Sequence, residues 1–481
     1  MGCQATHVVK SPTDWQTIVR NDLEAARRAI EEAHPGMIDD QNPSFRDWVK
    51  RGYEETLALV PGVIDYNSAL SAIRYYTVGF EDGHLAYSDN VRPGDVYGYV
   101  TGWMIEPQAG RYVVVATAPQ WKGALPPVGS VLTGCDGKIT ATLLHDLVRP
   151  FVDRRQLQNS QNKMPRAISN LHSNSMRLVR CEFTSADAIK VVIDVVYQPI
   201  SFTDFFTWFV KANAHNSALA NSFELKDDVL WVRAQNFVLN PESAKALEQM
   251  LEQLRAVKNV NVIVFDVQGN TGGDSGVGDR IFDAATGGFE YDQSNLESLS
   301  RTHALWRVSD IAINEWRRRL QEAMSAYGSE HTITRQYEAF LDELVRAKSV
   351  SKLTVEQEGG PRLTKREMEA RSANLKRFKG KIALLADDGC ASACLDFADM
   401  VRKVPGSIHV GQPTSADSVY IDVARVKMPS GNALILPLKV WRNRARANNE
   451  ALIPDVKVEL NNLDDASIQQ TTLEAVRRQN K

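Results

Sequence analysis

An α/β fold with a parallel sheet is predicted by three observations. Two apolar runs, NVIVFDV from Asn261 and KIALLA from Lys381, each break into glycines and small polar residues. That is the texture of a buried parallel strand feeding a tight turn, and a helical pattern follows each turn. The stretch from Val229 then reads strand, helix, strand: VLWVRAQNFV, PESAKALEQMLEQLRAV and NVIVFDV. Pro241 opens the helix, and Leu247, Met250, Leu251 and Leu254 share one face, as a βαβ crossover requires.

Residues 1–90 read as an N-terminal helical region ending in a Gly-Phe-Glu-Asp-Gly-His turn at His84. Its first helix is expected to be capped by Asp14 and stopped by Pro35-Gly36. FRDWVKRGYEETLALV and YNSALSAIRYYTV supply two more helices. Residues 91–200 change to β-branched runs bounded by Gly, Pro and Asp, namely YVVVATAP, SVLTGCDG and IKVVIDVVYQPI, with the helix ATLLHDLVRPF among them. Residues 201–465 form the α/β core. Within it, 296–380 is charged and helical and reads as an insertion or lid rather than part of the sheet. Residues 466–481 are a polar helical tail.

Bulk composition limits the function classes. A chain of 481 residues holds about two or three domains at roughly 150 residues each. Hydrophobic content of 43%, charged content of 24% and a net charge of −3 describe an ordinary globular chain with no bulk drive toward nucleic acid or anionic membrane. No apolar run approaches the ~20 residues that span a bilayer. The start, MGCQATHVVK, lacks a secretory core but fits the loose acylation pattern Met-Gly-x-x-x-Thr, with Cys3 as a second lipid site. The five cysteines, Cys3, Cys135, Cys181, Cys390 and Cys394, are too scattered for a disulfide scaffold or a zinc finger. Cys390 and Cys394 bracket Ser392; packing as small apolar side chains is the favoured reading, with a bridge between them as the alternative in an oxidising compartment.

The chemistry gathers at the two turns. Gly272 and Gly273 offer amides that can approach an oxyanion without a Cβ in the way. Ser392 lies between Ala391 and Ala393 at a helix start, where the dipole and free amides favour a developing negative charge. An ordinary N-cap serine is the competing reading. A serine nucleophile needs a base. His84, in its glycine-bounded turn, has the most suggestive setting, with Asp82 or a distant carboxylate to orient the ring.

These motifs together resemble the tail-specific, or C-terminal-processing, serine protease family. Asp266-Val267-Gln268-Gly269-Asn270-Thr271-Gly272-Gly273 is similar to the family's Asp-Leu-Arg-x-Asn-x-Gly-Gly turn, with Gln268 where arginine is usual. Ser392-Ala393-Cys394-Leu395 lines up with the nucleophile turn, and Gly411-Gln412-Pro413-Thr414 resembles Gly-Glu-Pro-Thr. Pro126 to Ser130 through Cys135-Asp136-Gly137 is similar to part of the family's PDZ domain. The resemblance runs from about residue 75 to 460. It implies a crotonase/ClpP-like βαβ catalytic core, a PDZ-like β-rich domain, protein or peptide substrates, no metal or organic cofactor, and a periplasmic or secreted setting. It also implies an oxyanion hole from Gly272 or Gly273 with Ala393.

One departure separates the branches. Many members place a lysine base a little beyond Gly-Glu-Pro-Thr, where this chain has Asp417. The branch resembling the tricorn core and a chlamydial protease draws a histidine from a Gly-His turn instead, and Asp82-Gly83-His84 fits it. That branch also uses a glutamate before a Pro-Asp pair, which points to Glu450 ahead of Pro454-Asp455. The expectation is a serine peptidase with Ser392, His84 and Glu450. Two alternatives stay open: a Ser-Lys protease using Lys427 or Lys439, and a catalytically silent binding protein of the same fold.

Overall fold

The computed structural model describes residues 10–90, 96–169, 177–201, 203–204, 207–208, 220–288, 297–298, 301–358, 364–373, 378–460 and 463–478. The acylation pattern and Cys3 lie outside them. Within them the architecture is mixed α/β, and two sheets position the site.

The first sheet has the strand order Ser222–Lys226, Val229–Arg233, Val262–Asp266, Lys381–Ala386, Ile408–Gly411, Val456–Lys457. All neighbours are parallel except the first pair. Asp266 pairs with Leu385, so the chain leaves both central strands at the same carboxyl edge, where open α/β sheets place their ligands. The helix Pro241–Ala256 is capped by Asn240 in a reciprocal box with Ser243. Its buried face is Leu247, Met250, Leu251 and Leu254, which packs with Phe265, Phe282 and Phe397 into one core on one face of the sheet.

The second sheet carries the order Ala86–Ser88, Ala433–Arg442, His303–Arg307, Thr354–Glu358, with Tyr420–Lys427 also paired to Ala433–Arg442. The 296–380 segment is therefore not wholly helical. Its long helices Asp310–Tyr327 and Thr332–Ser349 are flanked by two strands that join this sheet, contrary to the expectation of a separate insertion. The N-terminal helices Pro12–Ala33, Pro43–Leu59 and Tyr66–Val78 pack against the same sheet, sharing a core with Leu434, Leu436 and Leu438. The cap of the first helix is Ser11; Asp14 is its capping-box partner three residues on.

A third, antiparallel sheet runs Trp103–Gln108, Arg111–Thr117, Val131–Cys135, Arg180–Thr184, Lys190–Asp194. Cys135 and Cys181 face each other across paired strands and are joined by a disulfide. Cys390 and Cys394 are joined as well. The first pair, 46 residues apart in sequence and brought together by strand register, corrects the reading of the cysteines as too scattered for a disulfide scaffold; the second corrects the packing reading of Cys390 and Cys394 in favour of its alternative, a bridge between them.

Candidate active site

The strand Lys381–Ala386 ends in a turn that delivers Ser392 as the residue before the helix Ala393–Arg402. Its backbone sits at φ 55°, ψ −127°, a conformation that non-glycine residues rarely hold without surrounding support. The Ser392 hydroxyl makes no capping bond to its own helix. That removes the N-cap explanation and leaves the oxygen available to another partner. Three features support the turn: the Cys390–Cys394 disulfide spans it, the buried Asp417 carboxylate accepts the Ser392 amide at 2.9 Å, and Gly272 packs flush against it.

Gly272 has φ +104°, and a Cβ there would lie 2.7 Å from both Ser392 Cβ and the Ala391 carbonyl oxygen. Only glycine permits this approach. The Gly272 amide is already donated to Asn270 Oδ1 at 2.8 Å, while Asn270 Nδ2 is tied to the Ala234 carbonyl at 2.7 Å. Gly273 has φ +136° and is held by Phe237, whose carbonyl would be 2.3 Å from an added Cβ.

His84 reaches this place from the other end of the chain. The strand Ala86–Ser88 pairs with Ala433–Ile435, which pins the turn just before it. His84 Nε2 lies 3.4 Å from Ser392 Oγ across 308 residues of sequence. The His84 amide donates to Asp82 Oδ1 at 2.9 Å. Its Nδ1 is buried without a hydrogen-bond partner. Asp82 is 6% exposed and also accepts from the Ser418 hydroxyl at 2.5 Å and from His34 Nε2 at 3.0 Å. Burial opposes its charge, but the His34 bond and the nearby His84 outweigh it and hold the Asp82 carboxyl below its usual pKa.

The remaining expected residues lie elsewhere. Glu450 is exposed and its carboxylate accepts the Ala447 amide at 2.6 Å; no hydrogen bond or ion pair joins it to His84. Lys427 is exposed. Lys439 is 5% exposed and is bound by Asp422 at 2.5 Å, so it is committed to the second sheet. Asn449, beside Glu450, does bridge the site: its amide donates to the Asp417 carbonyl at 2.8 Å and its Nδ2 to the Glu81 carbonyl at 2.7 Å. Arg155 adds a contact from the β-rich side, donating to the Ala416 carbonyl at 2.9 Å while held by Asp153. A cavity of about 520 Å³ opens behind the His84 turn, lined by Glu81, Asp82, Gly83, Phe151 and Arg155. It includes neither Ser392 nor His84 and is not the reaction cleft.

Among the described residues no cluster of His, Cys, Asp and Glu could hold a metal ion. No described helix is long and apolar enough to cross a membrane.

Comparisons with known proteins point to a peptidase family and a shared fold. Residues 228–458 match the model of peptidase family S41. No curated protein sequence matches the chain. The structure of mature CPAF complexed with lactacystin aligns with 92% of this chain and 94% of that chain, at 11% identity and a TM-score of 0.55. Mature CPAF alone aligns with 92% and 93%, at 11% identity and a TM-score of 0.54. The tricorn protease overlaps less closely: 98% of this chain, 37% of that chain, 13% identity and a TM-score of 0.38.

Proposed function

Because this chain is a serine peptidase whose residues 228–458 match family S41, we propose that it hydrolyses peptide bonds of protein or peptide substrates through a Ser392–His84 pair. The observation that carries the reading is the 3.4 Å approach of His84 Nε2 to Ser392 Oγ. That is slightly longer than a formed hydrogen bond, as is usual for catalytic pairs without substrate.

The steps follow from the chemistry of these groups. Ser392 Oγ attacks the scissile carbonyl carbon while His84 Nε2 takes the hydroxyl proton. The imidazolium then gives that proton to the departing amine, leaving an acyl-serine. Water attacks the acyl group with His84 again as base, and Ser392 is regenerated. The Ala393 amide, at the first position of its helix, is one oxyanion donor. Gly273 is the second, since the Gly272 amide is occupied by Asn270. The buried, ionised Asp82 supplies negative charge beside the imidazolium. Glu450 receives no step.

The β-rich part, about 91–200, is read as a PDZ-like domain that receives an extended peptide as an added strand. Its support is the antiparallel sheet, which ends in the edge strand Lys190–Asp194 with Val192 exposed. The disulfides support an oxidising compartment, in line with a periplasmic or secreted setting. Ser392→Ala and His84→Ala variants assayed on an unfolded protein substrate test the catalytic pair; both should lose turnover by several orders of magnitude. The Ser392→Ala full chain, used as a trap for a peptide library with free C-termini, tests the binding role. Absence of any bound peptide would leave the β-rich part as a spacer.

A further inference from the structure

His34 ends the first helix, about 50 residues before the base in sequence, and nothing in its local sequence marks it as functional. It is the C-cap residue after Pro12–Ala33, its side chain is fully buried, and that of Asp82 is 1% exposed. Its ring stacks on Phe45 with centroids 4.2 Å apart and meets the edge of Tyr420 at 4.9 Å. The Gly36 amide donates to His34 Nδ1 at 2.9 Å. An imidazole nitrogen that accepts an N–H cannot carry a proton, so the proton sits on Nε2. His34 Nε2 therefore donates to Asp82 Oδ2. A ring that accepts the Gly36 amide on Nδ1 is neutral, and burial acts in the same direction by lowering the His34 pKa.

Asp82 is the node through which this bond reaches the site. One carboxylate oxygen takes the His34 proton donor; the other takes the His84 amide and the Ser418 hydroxyl. Ser418 directly follows Asp417, which holds the Ser392 amide. The base turn and the segment bracing the nucleophile thus converge on a single buried carboxylate. With His34 removed, Oδ2 would lose its donor on a side chain that is almost wholly buried. Such a carboxylate either turns or takes up a proton, and either change disturbs the His84 turn.

We propose that His34 is a positioning residue of the peptidase: through Asp82 it sets the place of His84 and of the Asp417 brace on Ser392. The inference rests on the Ser392–His84 reading above. The N-terminal helical region becomes part of the catalytic apparatus rather than a separate layer.

The test compares His34→Gln and His34→Leu in the full chain. A glutamine amide can reproduce the Nε2 donor; leucine fills part of the space without one. The expected result is a kcat at least tenfold lower for His34→Leu with KM changed less than twofold, and recovery of most of that loss in His34→Gln. A folded His34→Leu variant with wild-type kcat would overturn the proposal, as would equal loss of kcat in both variants at equal thermal stability. If His34→Leu does not fold, ¹⁵N-detected proton correlation on the wild-type protein decides. A neutral His34 with its proton on Nε2 supports the inference, and a proton on Nδ1 or a charged ring overturns it. A fully active His84→Ala variant would instead overturn the underlying catalytic pair, so the two failures are distinguishable.

Discussion

The Asp417 carboxylate accepts the backbone amide of Ser392 at 2.9 Å. Many relatives by resemblance place a lysine base at this position. Here the residue has become an acceptor that holds the nucleophile turn from below, at a serine whose φ is 55°. In the proposed mechanism the base is His84, whose Nε2 lies 3.4 Å from the Ser392 hydroxyl. Asp417→Ala should therefore lower kcat by about a hundredfold, the scale of a misplaced reacting group. Asp417→Asn, which keeps the acceptor oxygen, should lose far less. Steady-state kinetics on a fluorogenic peptide separates them, and Asp417→Lys restoring full activity would contradict the histidine assignment.

Gly272→Ala should abolish turnover. The added methyl meets Ser392 Cβ and the Ala391 carbonyl at 2.7 Å, at φ +104°, so either the glycine turn or the serine must move. Circular dichroism and thermal melting should show a folded protein with a modest loss of stability. Activity within tenfold of wild type would mean that the two turns do not form one site.

Lys427→Ala and Glu450→Ala should each keep activity within a few-fold of wild type, because both side chains are exposed and neither is hydrogen-bonded to the pair. Lys439→Ala should act through stability: it leaves Asp422 without its shortest ion pair, although Arg319 still binds that carboxylate at 3.0 Å. Thermal melting alongside kinetics distinguishes the effects. A large kcat loss in Glu450→Ala with an unchanged melting temperature would return that residue to the mechanism.

Two buried groups make stability depend on pH with opposite signs. Burial, aided by Arg402, lowers the His409 pKa from 6.5 to about 4. Its contribution is fully present above pH 6.5 and is lost as pH falls toward 4, because the unfolded chain binds the proton first. Burial raises the Asp266 pKa from 3.8 to about 6, so its contribution is present at low pH and lost as pH rises through 6. Each is on the order of 3 kcal/mol at full extent, and they largely cancel between pH 4 and 6. Asp266→Asn should expose a fall in melting temperature on acidification, and His409→Leu a rise. Two variants with parallel, flat profiles would refute the assignment.

The core strands, the three N-terminal helices and both site turns were legible because period and turn chemistry are local. Ser392, His84 and the glycine pair stood out through turn residues and resemblance. What escaped was set by distant pairing. His303–Arg307 and Thr354–Glu358 are short strands between strong helices, and only Ala433–Arg442 gives His303–Arg307 its central partner. His34, Arg155 and Asn449 sit in unremarkable local sequence. Their partners are 48, 261 and 368 residues away. The resemblance points to Glu450 ahead of Pro454-Asp455, whereas the residue that hydrogen-bonds across the site is its neighbour Asn449.

Covalent labelling with a fluorophosphonate, followed by peptide mass spectrometry, in wild type, His84→Ala and Ser392→Ala tests most directly whether Ser392 is a nucleophile activated by His84. The expected result is a single adduct on Ser392 in wild type, labelling slowed by at least a hundredfold in His84→Ala, and none in Ser392→Ala. An adduct on another residue, or undiminished peptide hydrolysis by Ser392→Ala, would contradict it.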